Sequence, residues 1–133
     1  MIRRPLTTLL LLSGPAFAGF TPTLNLIEPR GGQRGVEMDM HFYGERLDGI
    51  QDLLAYDPGI EVRSFAVEND KHASAKIFIK PDAPLGEHGL RVRTSGGVSF
   101  LRSFFVGQFP VVNEADPNDK PEEAQRVELN TTV

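Results

Sequence analysis

The chain has 133 residues, of which 18 are acidic and 14 basic, so its formal net charge at pH 7 is −4. This acidic balance argues against a nucleic-acid-binding or anionic-membrane surface, because such surfaces need clustered Lys and Arg. The sequence contains no cysteine, which excludes disulfides, thiol nucleophiles, thiolate zinc sites and iron–sulfur clusters. Its 13 glycines, 10 prolines and 9 phenylalanines are typical of short strands joined by tight turns.

Residues 1–18 have the pattern of a cleavable signal peptide. Arg3 and Arg4 form a short positive region, and an apolar run with five leucines follows within residues 5–14. Ala16-Phe17-Ala18 then places small residues at the two positions that signal peptidase recognises. The apolar run is too short to span a membrane, which takes about 20 residues. A buried N-terminal helix is the alternative, but the order of charge, apolar run and cleavage site favours export.

Export defines the mature chain. We predict cleavage after Ala18, before Gly19, which releases residues 19–133 into the periplasm or the cell exterior. Both leader arginines are lost, so the mature chain carries 12 basic against 18 acidic side chains. We expect it to have no membrane span and no nucleic-acid partner.

Most of residues 23–107 alternate apolar and polar side chains with a period of two, which indicates β-strands. We predict seven strands, at 23–28, 36–43, 50–56, 60–67, 73–79, 88–94 and 98–106. Strands of this number and spacing predict an all-β, immunoglobulin-like sandwich over residues 19–108. The disulfide and buried tryptophan of antibody domains are missing, since the chain has neither Cys nor Trp.

The second predicted strand has the clearest alternation. Val36, Met38, Met40 and Phe42 alternate with polar or aromatic side chains, so we expect these even positions to face the core. The glycine-rich residues 30–35 before this strand predict a turn.

Residues 109–133 differ in composition from the predicted sandwich. Six acidic residues against two basic ones lie between Glu114 and Glu128, and the alternation stops. Only the alternating residues Val127, Leu129, Thr131 and Val133 indicate another strand. We therefore predict an acidic linker followed by the start of a second β module, and we interpret the sequence as the leading part of a longer protein.

Two segments of the predicted sandwich carry a resemblance. One is Pro29-Arg30-Gly31-Gly32-Gln33-Arg34-Gly35, followed by a strand and Tyr43-Gly44-Glu45-Arg46-Leu47. The other is Pro81-Asp82-Ala83-Pro84-Leu85-Gly86-Glu87-His88, with Arg91-Val92-Arg93-Thr94 after it. Both are similar to IPT/TIG-like immunoglobulin folds, which occur in large exported bacterial proteins. The resemblance covers roughly residues 23–107.

The acidic segment resembles a second family. It reads Glu114-Ala115-Asp116-Pro117-Asn118-Asp119, with Ala124-Gln125 and Leu129 further on. This pattern is similar to the entry of the bacterial pre-peptidase C-terminal (PPC) domain, a β-sandwich found beside secreted proteases and collagenases. The resemblance implies an accessory module that does not itself cleave peptides.

The acidic segment is also the candidate metal site. Glu114, Asp116, Asn118 and Asp119 offer oxygen ligands within six residues, and Ca²⁺ takes 6–8 such ligands. The resemblance to collagen-binding modules implies a calcium site completed by carboxylates of the following domain. The alternative is a solvated linker whose charges keep it extended. An EF-hand is excluded, because a loop started at Asp116 places Lys120 at its fifth position.

The histidines and arginines give weaker signals. His41, His72 and His88 are each isolated in the sequence, so we expect a surface or rim position for each rather than metal ligation. Arg91, Arg93 and Arg102 fall on neighbouring predicted strands. They form either a basic stripe for an acidic glycan or partner, or edge charges that discourage aggregation.

Three functions follow from these observations. The first is a non-catalytic exported module, a spacer or adhesion domain, whose partners are neighbouring domains or an extracellular protein or glycan. The second is the N-terminal accessory region of a secreted peptidase or other hydrolase with its catalytic domain beyond residue 133. The third is a glycan- or matrix-binding module. The sequence favours the first, with no catalytic residues in this chain and no cofactor other than calcium.

Overall fold

Residues 20–132 are described by the computed structural model, so the predicted signal peptide at 1–18 lies outside the described residues. The described residues form nine β-strands and one turn of 3₁₀ helix, Pro121–Glu123, with no α-helix. The strands are β1 (Thr23–Glu28), β2 (Gly31–Gln33), β3 (Glu37–Glu45), β4 (Ile50–Ala55), β5 (Ile60–Asn69), β6 (His72–Ile79), β7 (Gly86–Thr94), β8 (Gly97–Val98) and β9 (Arg102–Gly107). Across residues 20–132, no helix has the length and apolar character needed to cross a membrane.

The strands form two sheets. The first sheet has the order β1-β3-β6-β5, and the second has the order β2-β9-β7-β4 with β8 paired to β7. All paired strands are antiparallel except β2 and β9, which are parallel. One cluster of buried apolar side chains draws on both sheets. The prediction of an all-β, sandwich-like fold is confirmed.

Alternation along the strands supplies this core. Met40 and Phe42 of β3 are fully buried, as are Leu90 and Val92 of β7, whereas the residues between them face outwards. Met38 also packs against the core, so the even-numbered face predicted for β3 is correct from position 38 onwards. Burying each such side chain stabilises the fold by about 1.5–3 kcal/mol.

The prediction for Val36 is wrong, because Val36 is 40% exposed and precedes the strand. The chain turns at Gly35, which has a positive φ of 81° and donates its backbone N–H to the carbonyl of Ile79. Regular pairing of β3 starts only at Glu37, so the alternation of side chains begins after Val36.

Strand β2 lies where the sequence predicts a turn. The backbone of Gly31 pairs with Phe105, and Phe105 donates its N–H to the carbonyl of Arg30 at 2.9 Å. A Cβ atom on Gly31 would lie 2.8 Å from the carbonyl oxygen of Phe105, so glycine permits this close approach. The glycine-rich segment is a strand because β9 supplies its hydrogen-bond partners, and local composition does not reveal this pairing.

The predicted strand 98–106 is split into β8 and β9. The side-chain hydroxyl of Ser99 accepts a hydrogen bond from the N–H of Val92 at 3.0 Å. The backbone N–H of Ser99 donates to the carbonyl of Val92 at 2.9 Å. A side-chain oxygen thus takes a place that a backbone carbonyl would hold in a continuous strand. Residues 20–132 therefore contain nine strands rather than the predicted seven, because of this split and because of β2.

The chain enters and leaves the two sheets at opposite ends. At the entry, the carbonyl oxygen of Phe20 lies 2.5 Å from the position that a Cβ on Gly96 would take, beside the turn that ends β7. At the exit, β9 pairs Val106 with Gly86, the first residue of β7. Since β7 has nine residues, the two ends are about 30 Å apart at roughly 3.3 Å per residue.

Candidate functional site

The four predicted calcium ligands lie in a loop that is closed at its base. Val111 and Thr132 form an isolated parallel bridge. Val112 donates its N–H to the carbonyl of Thr132, and Thr132 donates to Pro110, both at 2.9 Å. Beyond Gly107, the described residues contain this bridge and one 3₁₀ turn as their regular structure.

Hydrogen bonds inside the loop bring two of the predicted ligands together. The side-chain amide of Asn118 donates to a carboxylate oxygen of Glu114. Gln125 holds the neighbouring backbone, because its Oε1 accepts the N–H of Ala115 at 2.8 Å and its Nε2 donates to the carbonyl of Asn113 at 3.1 Å. The first half of the acidic segment is therefore fixed to residues about ten positions later.

A cleft of about 840 Å³ separates this loop from the sheets. Glu114 and Asp116 line it together with Glu28 and Arg30, and neither Asn118 nor Asp119 is part of its lining. Nowhere in residues 20–132 do three or more His, Asp or Glu side chains come close enough to hold a metal ion. Calcium binding by the four residues stays a prediction, because the described part of the chain supplies no preformed shell.

The structure places together two histidines that are isolated from each other in the sequence. Nδ1 of His41 lies 3.2 Å from Nε2 of His72. The ring of Tyr43 stacks on His72 with 4.5 Å between centroids and an angle of 6° between planes. We call His41, Tyr43, His72 and Glu68 the histidine cluster; it lies on the outer face of the first sheet.

Strand pairing explains the cluster. In β3 the residues at 40 and 42 face the core, so His41 and Tyr43 share the outer face. The register of β3 and β6 sets Tyr43 opposite His72 and His41 opposite Ser74, which makes the two histidines diagonal neighbours. The pair is separated by 31 residues in sequence, so spacing along the chain does not reveal it.

A β-bulge aims a carboxylate at the same cluster. The register of β5 and β6 shifts between Val67 and Asn69, which leaves Glu68 as the extra residue. One oxygen of Glu68 lies 3.9 Å from Nδ1 of His72, and the other accepts the Ser74 hydroxyl at 3.2 Å. The facing nitrogens of the two imidazoles can share a proton or bind a cation, while Glu68 lies on the far side of His72.

The third histidine departs from the prediction, because His88 is buried rather than at the surface. His88 is 1% exposed, and its Nε2 lies 2.7 Å from the carbonyl oxygen of Pro84. Among residues 20–132, Nδ1 of His88 finds no hydrogen-bond partner, and it lies 4.0 Å from a carboxylate oxygen of Asp57. His88 thus fastens the loop before β7 to the end of the core.

Two of the three predicted arginines lie on an inner strand, so the edge-charge interpretation is wrong for them. Arg91 and Arg93 belong to β7, which is paired on both sides. The guanidinium of Arg91 lies over the ring of Tyr56 at 5.6 Å, and that of Arg93 contacts Asp52 at 3.3 Å. Both side chains are engaged within the molecule.

The third arginine borders a separate cleft. Arg102 donates from Nε to the carbonyl of Asn25 at 3.1 Å. Together with Arg30 and Phe105 it lines a cleft of about 330 Å³. The three arginines do not form one continuous stripe. Arg102 is hydrogen-bonded to β1, whereas Arg93 contacts Asp52 of β4 and Arg91 contacts Tyr56 just after β4.

Two exposed ion pairs lie on or beside the first sheet, away from the histidine cluster. Lys80 lies 2.9 Å from Glu61, and its hydrogen bond lowers the pKa of that carboxyl while the pKa of Lys80 itself is raised. Lys76 lies 2.8 Å from Asp39, and this hydrogen bond raises the pKa of the lysine. These side chains are exposed, so the pairs neutralise surface charge and contribute little to stability.

Neither a scan against protein-family models nor a search of curated proteins found a match to this chain.

Proposed function

We propose that this chain is the leading part of an exported protein and that residues 19–108 are a non-catalytic immunoglobulin-like module, which spaces or attaches a neighbouring domain. The strand order supports the immunoglobulin-like assignment. Such sandwiches place strands A, B, E and D in one sheet and C, F and G in the other. The sheets β1-β3-β6-β5 and β9-β7-β4 correspond to these two sets in chain order.

The opposite positions of the entry and the exit carry the spacer proposal. The chain enters beside the end of β7 and leaves beside its start. A module of this shape adds its own length of about 30 Å between whatever precedes it and whatever follows it. A domain inserted into another fold, by contrast, needs its two ends close together.

Export and spacing can be tested on one protein, because the chain has no cysteine of its own. Thr21→Cys and Gln108→Cys place two labels at the exposed entry and exit. When the full chain is expressed in a bacterium, we expect it outside the cytoplasm with Gly19 as its first residue. Spin labels on the two cysteines should give one distance distribution centred near 30 Å.

The matched control for export is a pair of leader variants. Ala18→Trp removes a small residue that the peptidase recognises and should leave the precursor uncut, whereas Phe17→Leu should be processed normally. Retention of the chain in the cytoplasm would refute export. A label separation below about 15 Å would refute the spacer geometry, which requires about 30 Å.

Calcium forms part of the proposal through the acidic segment and its resemblance to the PPC entry. In a chain extended through a completed second module, we expect Ca²⁺ at a hundred times its Kd to add about 2.7 kcal/mol to the free energy of unfolding. For a protein of 150–250 residues, that raises Tm by about 5–10 °C in a thermal melt, and chelator reverses it. In residues 19–133 alone we expect little change.

The control for calcium is the double variant Asp116→Asn and Asp119→Asn in the extended chain, which keeps the side-chain size and removes two charges. It should melt at the same temperature with Ca²⁺ and with chelator. If the melting temperature of the unmodified extended chain is also unchanged by Ca²⁺ and by chelator, the segment is a solvated linker and the calcium proposal is wrong.

A further inference from the structure

We propose that His41 and His72 form a binding site for one divalent transition-metal ion, such as Zn²⁺, Ni²⁺ or Cu²⁺, on the outer face of the first sheet. The proposal concerns the histidine cluster alone and does not depend on the acidic segment. It rests on four features: the spacing of two ring nitrogens, the placement of Glu68, the rigidity of the strands and the access of solvent.

The distance between the ring nitrogens fits two ligands of a single ion. Zinc binds imidazole nitrogen at about 2.0–2.1 Å in tetrahedral geometry, so two nitrogens on one zinc ion lie about 3.3–3.4 Å apart. Nδ1 of His41 and Nε2 of His72 are 3.2 Å apart. The spacing of the two nitrogens therefore suits one ion, and the rings must rotate so that both lone pairs point at it.

Glu68 lies behind the second ligand, and a shift of less than about 1 Å would bring its carboxylate into hydrogen-bond distance of His72. Metal-binding histidines usually donate their other ring N–H to a carboxylate, which fixes the tautomer and increases the basicity of the ligating nitrogen. Glu68 lies 3.9 Å from Nδ1 of His72 and is anchored by the Ser74 hydroxyl. A proton on Nδ1 leaves the lone pair of Nε2 directed at His41.

The strands hold the two rings in place before any ion arrives. β3 and β6 are the two inner strands of their sheet, and they are paired in continuous register from Glu37 to Tyr43. Tyr43 stacks on the ring of His72 and limits its rotation. Ligands that are already ordered lose less conformational entropy on binding.

Solvent reaches the site, since the side chain of His72 is 27% exposed. No third histidine, aspartate or glutamate of residues 20–132 joins the pair within binding distance, so water or a ligand from a partner completes the shell. When an ion binds, Nδ1 of His41 must give up the proton that it shares with His72. That proton moves through water to Nε2 of the same ring, so no net proton is released. Metal ions bind only the unprotonated nitrogen of an imidazole, so binding is expected to weaken in acid.

The test is a titration of the full chain with ZnCl₂, and then with NiCl₂, at pH 7.5, followed by calorimetry. We expect one ion per chain. His41→Ala and His72→Ala should each weaken binding at least tenfold, and the double variant should weaken it little further. Glu68→Gln should weaken binding about tenfold or more, as loss of an outer-shell partner does. Lys76→Gln, an exposed position of β6 outside the cluster, is the control and should bind as the unmodified chain does.

The ring ¹⁵N shifts of His72 separate positioning by Glu68 from general loosening of the sheet. In the metal-free chain they should report a proton on Nδ1, and Glu68→Gln should remove that preference while the circular dichroism spectrum is unchanged. His41→Gln and His72→Gln, which retain polarity and bulk, replace the alanine variants if those do not fold. Stoichiometric zinc binding by the double variant, or no binding by the unmodified chain below 1 mM metal, overturns the proposal.

Discussion

Replacing Phe104 by alanine is expected to lower the free energy of unfolding by about 3–5 kcal/mol, the usual loss for a fully buried phenylalanine. Phe104 is 0% exposed and lies in the apolar cluster between the sheets. A domain of this size has a total stability of about 5–15 kcal/mol, so this loss is a large fraction of the whole. Urea unfolding followed by circular dichroism measures the change.

The neighbouring residue on the same strand provides the control. Phe105 points to the opposite face of β9 and is 53% exposed, so Phe105→Ala should cost less than about 1 kcal/mol. A one-residue change in the register of β9 would exchange the two side chains. If the free energy of unfolding fell equally in the two variants, or fell further in Phe105→Ala, the register of β9 would be contradicted.

Alanine at Gly44 is expected to destabilise the chain by about 3 kcal/mol or more, because the new methyl group meets backbone rather than a movable side chain. A Cβ atom on Gly44 would lie 1.9 Å from the carbonyl oxygen of Thr23. Leu24 pairs with Gly44 at the point where the register of β1 and β3 shifts. The added carbon can be accommodated only if β1 moves away from β3.

Gly49→Ala is the matched control, since its added Cβ would have Ser95 as its nearest neighbour, at an ordinary 3.7 Å. This variant should lie within about 0.5 kcal/mol of the unmodified chain. Thermal melts of both variants, with proton NMR to report the packing of β1, make the comparison. A Gly44→Ala protein that melts with the unmodified chain would mean that β1 does not approach β3 as described.

Local alternation predicted much of the fold. It gave β1 with the observed bounds, and it placed Met40 and Phe42 of β3 on the buried face, because that strand has one face on the core. It failed at β2, whose residues Gly31 and Gly32 have no side chains to alternate. It also failed at Ser99, where a side-chain hydroxyl replaces a backbone partner.

The histidine cluster could not be found in the same way. His41 and His72 meet because β3 and β6 pair in one particular register, and Glu68 joins them because β5 has a bulge. Both facts are properties of long-range pairing and not of any local window. The acidic segment is the opposite case, since its composition is plain in the sequence while the described loop brings only Glu114 and Asn118 into contact.

The parallel pairing of β2 and β9 has a mechanical consequence. With the chain entering at one end and leaving at the other, tension on the termini pulls these strands in opposite directions along their own axes. The bonds from Phe105 to Arg30 and from Arg34 to Gly107, 2.9 and 3.0 Å long, lie across that line of pull. They are therefore sheared together rather than opened one after another, so the load needed to separate the strands is shared between them.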